Sequence, residues 1–127
     1  MHLLMLSDDE IQAHVIAAAA SRRGFVTSVR ALAPASACSP CPEDRAASVT
    51  IVDCEYLDHQ VTDFVNELSE CRPGSRVFVL AERVASSDIA LGEAVRFVQL
   101  KPFHVTDFLN RLEDILAADQ PTGPSAS

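Results

Sequence analysis

The sequence specifies an α/β fold: a single doubly wound five-stranded parallel sheet, strand order 2-1-3-4-5, with helices on both faces. Three observations predict it. Short apolar runs alternate with segments of helical periodicity along the chain. The runs are continuously apolar rather than alternating, as strands covered on both faces are. Three of them end on charge: Leu3-Leu4-Met5-Leu6 before Ser7-Asp8-Asp9-Glu10, Val49-Thr50-Ile51-Val52 before Asp53, and Phe97-Val98-Gln99-Leu100 before Lys101.

Residues 3–6 read as the first strand. Residues 9–23 are Ala-rich with polar residues on one side, which is helical, and Gly24 stops them. Residues 25–29 form the second strand. The segment 35–47, with Pro34, Pro40 and Pro42 in or beside it, is a poor helix and mostly loop. Residues 49–52 are β-branched and apolar, the third strand. Val61, Phe64, Val65 and Leu68 recur at helical spacing, and Cys71-Arg72-Pro73-Gly74 breaks that helix. Residues 77–80 form the fourth strand, 87–95 a short helix and 97–100 the fifth strand. Residues 104–116 carry Val105, Phe108, Leu109, Leu112 and Leu116 on one stripe and close the domain as an amphipathic helix. The domain spans residues 1–118, and residues 119–127 are a polar tail or the start of a linker.

Composition sets the limits. At 127 residues, 48% hydrophobic and 22% charged, the chain supports one core and no second domain. Net charge is -8 with scattered arginines, so no basic face is available for nucleic acid. No apolar stretch approaches the roughly 20 residues that span a bilayer. No basic segment precedes residues 3–6 as in a signal peptide, which points to the cytoplasm. Cys38-Ser39-Pro40-Cys41 has the spacing of metal and redox sites, but neither Cys54 nor Cys71 supplies a second close pair, so these read as incidental thiols. His104 and Glu55 read as surface residues near the site.

The chemistry lies in where the charges fall. Lys101 is the only lysine beside nine arginines, which marks a place that wants a compact ammonium on a flexible stem. In the doubly wound order, the ligand crevice opens outside the carboxyl ends of the strands, where strands one and three diverge. Asp8, Asp9, Asp53 and Lys101 all fall there. Clustered carboxylates repel one another unless a hard cation sits among them, and Mg²⁺ with one or two carboxylates, water and a phosphate oxygen suits such a set. That ligand set fits phosphoryl transfer onto a carboxylate, with Asp53 as nucleophile and Lys101 neutralising a phosphoryl oxygen.

These residues resemble the bacterial two-component receiver domain, the chemotaxis-type response-regulator fold, over residues 2–117. The likeness rests on Ser7-Asp8-Asp9-Glu10, Gly24-Phe25, Ile51-Val52-Asp53, residues 77–80, and Leu100-Lys101-Pro102-Phe103 with the helix after it. It implies a flavodoxin-like three-layer sandwich in which Asp53 accepts phosphate from a partner's phosphohistidine. It also implies Mg²⁺ on Asp8 and Asp9 with Asp53, Lys101 on the phosphoryl group, and a cis Lys101–Pro102 bond. Counting back from Gly24 places the acid pair on Ser7-Asp8 instead, and Asp8 belongs to the site in either register.

The chain departs from this pattern at the switch positions. The family's Thr or Ser at the end of strand four is Ala81, and its Tyr or Phe three positions before the lysine is Val98. The usual Met-Pro and Asp-Gly turn after the phospho-acceptor is absent from Cys54-Glu55-Tyr56-Leu57-Asp58-His59. Two functions follow, neither of them that of an enzyme beyond self-phosphorylation. One is a phospho-accepting receiver served by a histidine kinase or histidine phosphotransfer protein. The other is an atypical receiver, a phosphorylation-independent interaction or dimerisation module using residues 87–95, 97–100 and 104–116.

Overall fold

The computed structural model describes residues 2–31, 49–71, 76–84 and 95–119. Five strands and three helices are described: β1 (His2–Ser7), α1 (Glu10–Ser21), β2 (Val26–Ala31), β3 (Val49–Leu57), α2 (His59–Cys71), β4 (Arg76–Val84), β5 (Val95–Leu100) and α3 (Val105–Asp119). The strands form one parallel sheet in the order β2-β1-β3-β4-β5, as the sequence predicts. The expected loop or weak helix at 35–47, the Cys38/Cys41 pair, most of the expected helix at 87–95 and the tail from residue 120 lie outside the described residues.

Each face of the sheet has its own core, because successive strand side chains point to opposite sides. On one side Leu3, Met5, Val49, Ile51, Phe78 and Leu80 pack against Ala13, Ile16 and Ala20 of α1 and Phe108, Leu109, Leu112 and Leu116 of α3. On the other, Leu4, Leu6, Val52, Val77 and Val79 meet Phe64 and Val65 of α2. The Ala stretch of α1 is therefore filler that lets the helix lie close to the sheet. Phe108 packs edge-on against Phe78, ring centroids 6.4 Å apart, and also meets Phe103 at 5.5 Å.

Local signals account for the element ends. Asp9 is the N-cap of α1, accepting from Gln12 N–H on Oδ1 at 3.1 Å. Gly24 follows α1 with φ of +96°, a left-handed conformation that costs a side-chain-bearing residue energy. Beyond the end of α1, Arg23 donates to Glu113 Oε1 at 2.6 Å and Asn110 Oδ1 at 2.8 Å, which ties this end to α3. Asp58 caps α2, its Oδ1 accepting from Val61 N–H at 3.0 Å.

Most boundaries shift by one to three residues, and the larger differences lie in β3, β4 and β5 and at the end of α3; β4 runs on past residue 80 to Val84. β3 runs on past Asp53 to Leu57, paired with β4 through Cys54↔Ala81, Tyr56↔Arg83 and Leu57↔Val84. Nothing in Cys54–Leu57 breaks a strand, since it has neither Gly nor Pro, and Cys54 and Leu57 are buried. Val95 opens β5 rather than ending a helix, and α3 continues through Asp119, three residues beyond the expected stop.

Candidate functional site

The register sets the site. Ser7 ends β1 directly opposite Asp53 in β3, and β1 stops there while β3 continues, which opens a notch above Asp53. Leu100 pairs with Ala81 at the end of β5, and Lys101 follows, its backbone N–H donating to the Ala81 carbonyl at 2.9 Å. The Lys101–Pro102 peptide is cis. These pairings bring the ends of β1 and β5 level with Asp53 of β3.

Asp53 is 1% exposed, and two side chains hold it. The Lys101 ammonium, itself only 16% exposed, pairs with Oδ1. Ser7 Oγ donates to Oδ2 at 2.7 Å. Among the described residues, Oδ1 meets no donor other than the Lys101 ammonium. A carboxylate this deeply buried would be costly unpaired, and the ammonium supplies its counter-charge.

Above the pair lies an open cleft of about 510 Å³. Six carboxylates line it, those of Asp8, Asp9, Glu10, Asp53, Glu55 and Glu82, against the single ammonium of Lys101. Asp8, Asp9 and Asp53 thus share one cleft, as the sequence suggests, but they are not equivalent. Asp8 and Asp9 are exposed, and Asp9 has already committed Oδ1 to capping α1. Among the described residues, no group of three His, Cys, Asp or Glu side chains is placed to hold a metal ion. A hard cation would therefore bind through one or two carboxylates with water completing its shell, a mode that suits Mg²⁺. The donor set is all oxygen and strongly anionic, six carboxylates against one ammonium, so the residues fit such an ion.

The remaining neighbours follow their burial. Ala81 is fully buried opposite Cys54, and Val98 packs with it on the α2 side of the sheet, so no hydroxyl or aromatic ring stands at either position. Cys54 donates to the Leu80 carbonyl at 3.4 Å. Burial, reinforced by the charge of Asp53, pushes its thiol up to about 12. Glu55 and Arg83 face each other across the strand extension at 3.7 Å, both exposed, and His104 is a surface residue before α3. Sequence reasoning undervalued Ser7 and missed Glu82. The Asp9-x-x-Gln12 spacing signals the helix cap, which takes Asp9 partly out of the acid cluster.

No protein-family model matches the sequence, and no curated protein is significantly similar to it. Solved structures are. A response regulator receiver domain protein (CheY-like) from Methanospirillum hungatei is 16% identical with a TM-score of 0.73, over 92% of this chain and 94% of that one. The chain has the receiver-domain fold. A Burkholderia pseudomallei response regulator with a phosphorylated aspartic acid, calcium ion and citrate is 21% identical, TM-score 0.58, over 94% of this chain and 75% of that one. A Sinorhizobium meliloti protein named for CpaE2 pilus assembly shares the receiver fold at 16% identity, TM-score 0.62, over 87% and 97% of the two chains. Among the described residues, no helix of this receiver fold is long and apolar enough to cross a membrane.

Proposed function

We propose that this chain is a receiver in two-component phosphorelay signalling, with Asp53 accepting a phosphoryl group from the phosphohistidine of a histidine kinase or histidine phosphotransfer protein. The observation that carries the reading is the buried Asp53–Lys101 pair on the floor of an open, otherwise anionic cleft. In the transfer an Asp53 carboxylate oxygen attacks phosphorus, the phosphorus–nitrogen bond breaks, and its electron pair returns to the imidazole. Lys101 passes from the carboxylate to a phosphoryl oxygen, so its charge is used in both states. Mg²⁺, held by Asp53 and Asp8 with Asp9 beside them, would neutralise the approaching phosphoryl group, which six carboxylates would otherwise repel.

Thermal unfolding with and without Mg²⁺ tests the reading. An ion at ten times its dissociation constant stabilises by about 1.4 kcal/mol, and Asp53→Ala and Asp8→Asn should each reduce the shift. A wild type indifferent to Mg²⁺ would count against it.

A second reading is favoured by Ala81 and Val98. A receiver fold without the switching hydroxyl has fewer contacts that differ between its two states, and only such differences move an equilibrium. On this reading the chain is a phosphorylation-independent interaction or dimerisation module acting through β5, α3 and the segment before β5. Partner affinity would then be the same for wild type and Asp53→Ala.

A further inference from the structure

Ser7 is buried beside Asp53 at a place where the resemblance admits an acid, and its hydrogen bonds fix what it does. The Asp9 backbone N–H donates to Ser7 Oγ at 2.9 Å, so the oxygen is already serving as an acceptor. Its single proton has two acceptors within reach, Asp53 Oδ2 at 2.7 Å and the Asp9 carbonyl at 2.9 Å. The carboxylate is nearer and charged, and takes it. A relay results, from Asp9 N–H to Ser7 O–H to Asp53 Oδ2. Oδ1 takes no hydrogen bond from Ser7 and faces only the Lys101 ammonium.

Resting on the phospho-acceptor reading, we propose that Ser7 is a positioning residue that directs the phosphoryl group to Oδ1 of Asp53 and shortens its lifetime there. With phosphorus on Oδ1, Oδ2 becomes the carbonyl oxygen of an acyl phosphate and carries little negative charge. In hydrolysis, water attacks phosphorus and the phosphorus–Oδ1 bond breaks. Its electron pair returns to the Asp53 carboxylate, inorganic phosphate departs and the water's proton passes to solvent. Charge reappears on Oδ2 as that bond breaks, so the hydrogen bond from Ser7 strengthens towards the transition state. An interaction stronger there than in the ground state accelerates the step. A carboxylate at residue 7 would have no proton to donate and would repel the returning charge.

The test loads wild type, Ser7→Ala and Ser7→Thr with acetyl phosphate and Mg²⁺, removes the donor, and follows the decay of the adduct by intact mass. Loss of a hydrogen bond to a developing charge should slow decay in Ser7→Ala by about 3- to 10-fold, while Ser7→Thr, which keeps the hydroxyl, should decay like wild type. If Ser7→Ala does not fold, Ser7→Cys, close in shape but a weak donor, carries the same expectation of slower decay. A purely structural role would lower thermal stability without prolonging the adduct. Equal or faster decay in Ser7→Ala would overturn this inference and leave the phospho-acceptor reading standing. Absence of any adduct on wild type would overturn both.

Discussion

Replacing Lys101 by Met leaves the Asp53 carboxylate buried without its counter-charge. Removing one partner of a buried ion pair typically costs about 3–5 kcal/mol. Two features of the site reduce that here. Lys101 is 16% exposed, so water can partly take its place, and the Ser7 hydroxyl still donates to Oδ2 at 2.7 Å. We therefore expect a loss of about 2–3 kcal/mol. Asp53→Asn should cost far less, about 0–1 kcal/mol, because the amide oxygen still accepts from Ser7 and the orphaned ammonium can reach water. In the double variant the buried charge is gone, so it should be about as stable as Asp53→Asn alone, a coupling of about 2 kcal/mol. Urea denaturation followed by circular dichroism measures all four proteins. Equal losses in the two single variants that simply add in the double would refute the reasoning.

Other outcomes follow from neighbouring residues. Asp9→Ala should cost about 1 kcal/mol through loss of the α1 cap, whereas Asp9→Asn should keep most of that stability and lose only charge; denaturation beside Mg²⁺ titration separates the two roles. Cys54 should resist thiol reagents at pH 8–9 in the folded state, measured in a Cys38/Cys41/Cys71→Ser background, because its thiol is pushed up to about 12. The unfolded thiol ionises lower, near pH 8.5, so above that pH the unfolded chain has lost a proton the native state keeps, and stability falls as pH rises towards 12. Cys54→Ala should flatten that slope in urea melts. Ala81→Thr places extra atoms in a fully buried position and should cost about 1–3 kcal/mol, read by the same melts.

Much of this was legible because burial on two faces leaves a plain mark. Residues 3–6 and 77–80 are apolar without interruption, 49–52 are apolar but for the buried Thr50, and the stripe Phe108, Leu109, Leu112 and Leu116 of α3 has one periodicity and one core to meet. The carboxyl ends of the runs 49–52 and 97–100 located Asp53 and Lys101. The continuation of β3 through Leu57 was not legible, because Glu55 and Tyr56 are exposed and the segment lacks the unbroken apolar run that marks the other strands. Nor was the partnership of Ser7 with Asp53. Reading by charge weights carboxylates over hydroxyls, and only the register between β1 and β3 shows that Ser7 is the side chain opposite Asp53.

The central claim is that Asp53 accepts a phosphoryl group, and intact mass after incubation with acetyl phosphate and Mg²⁺ tests it most directly. The account predicts a gain of one phosphoryl group that chelation and Asp53→Ala each abolish. An unchanged mass for a folded wild type would contradict it and leave a receiver fold used as a docking module.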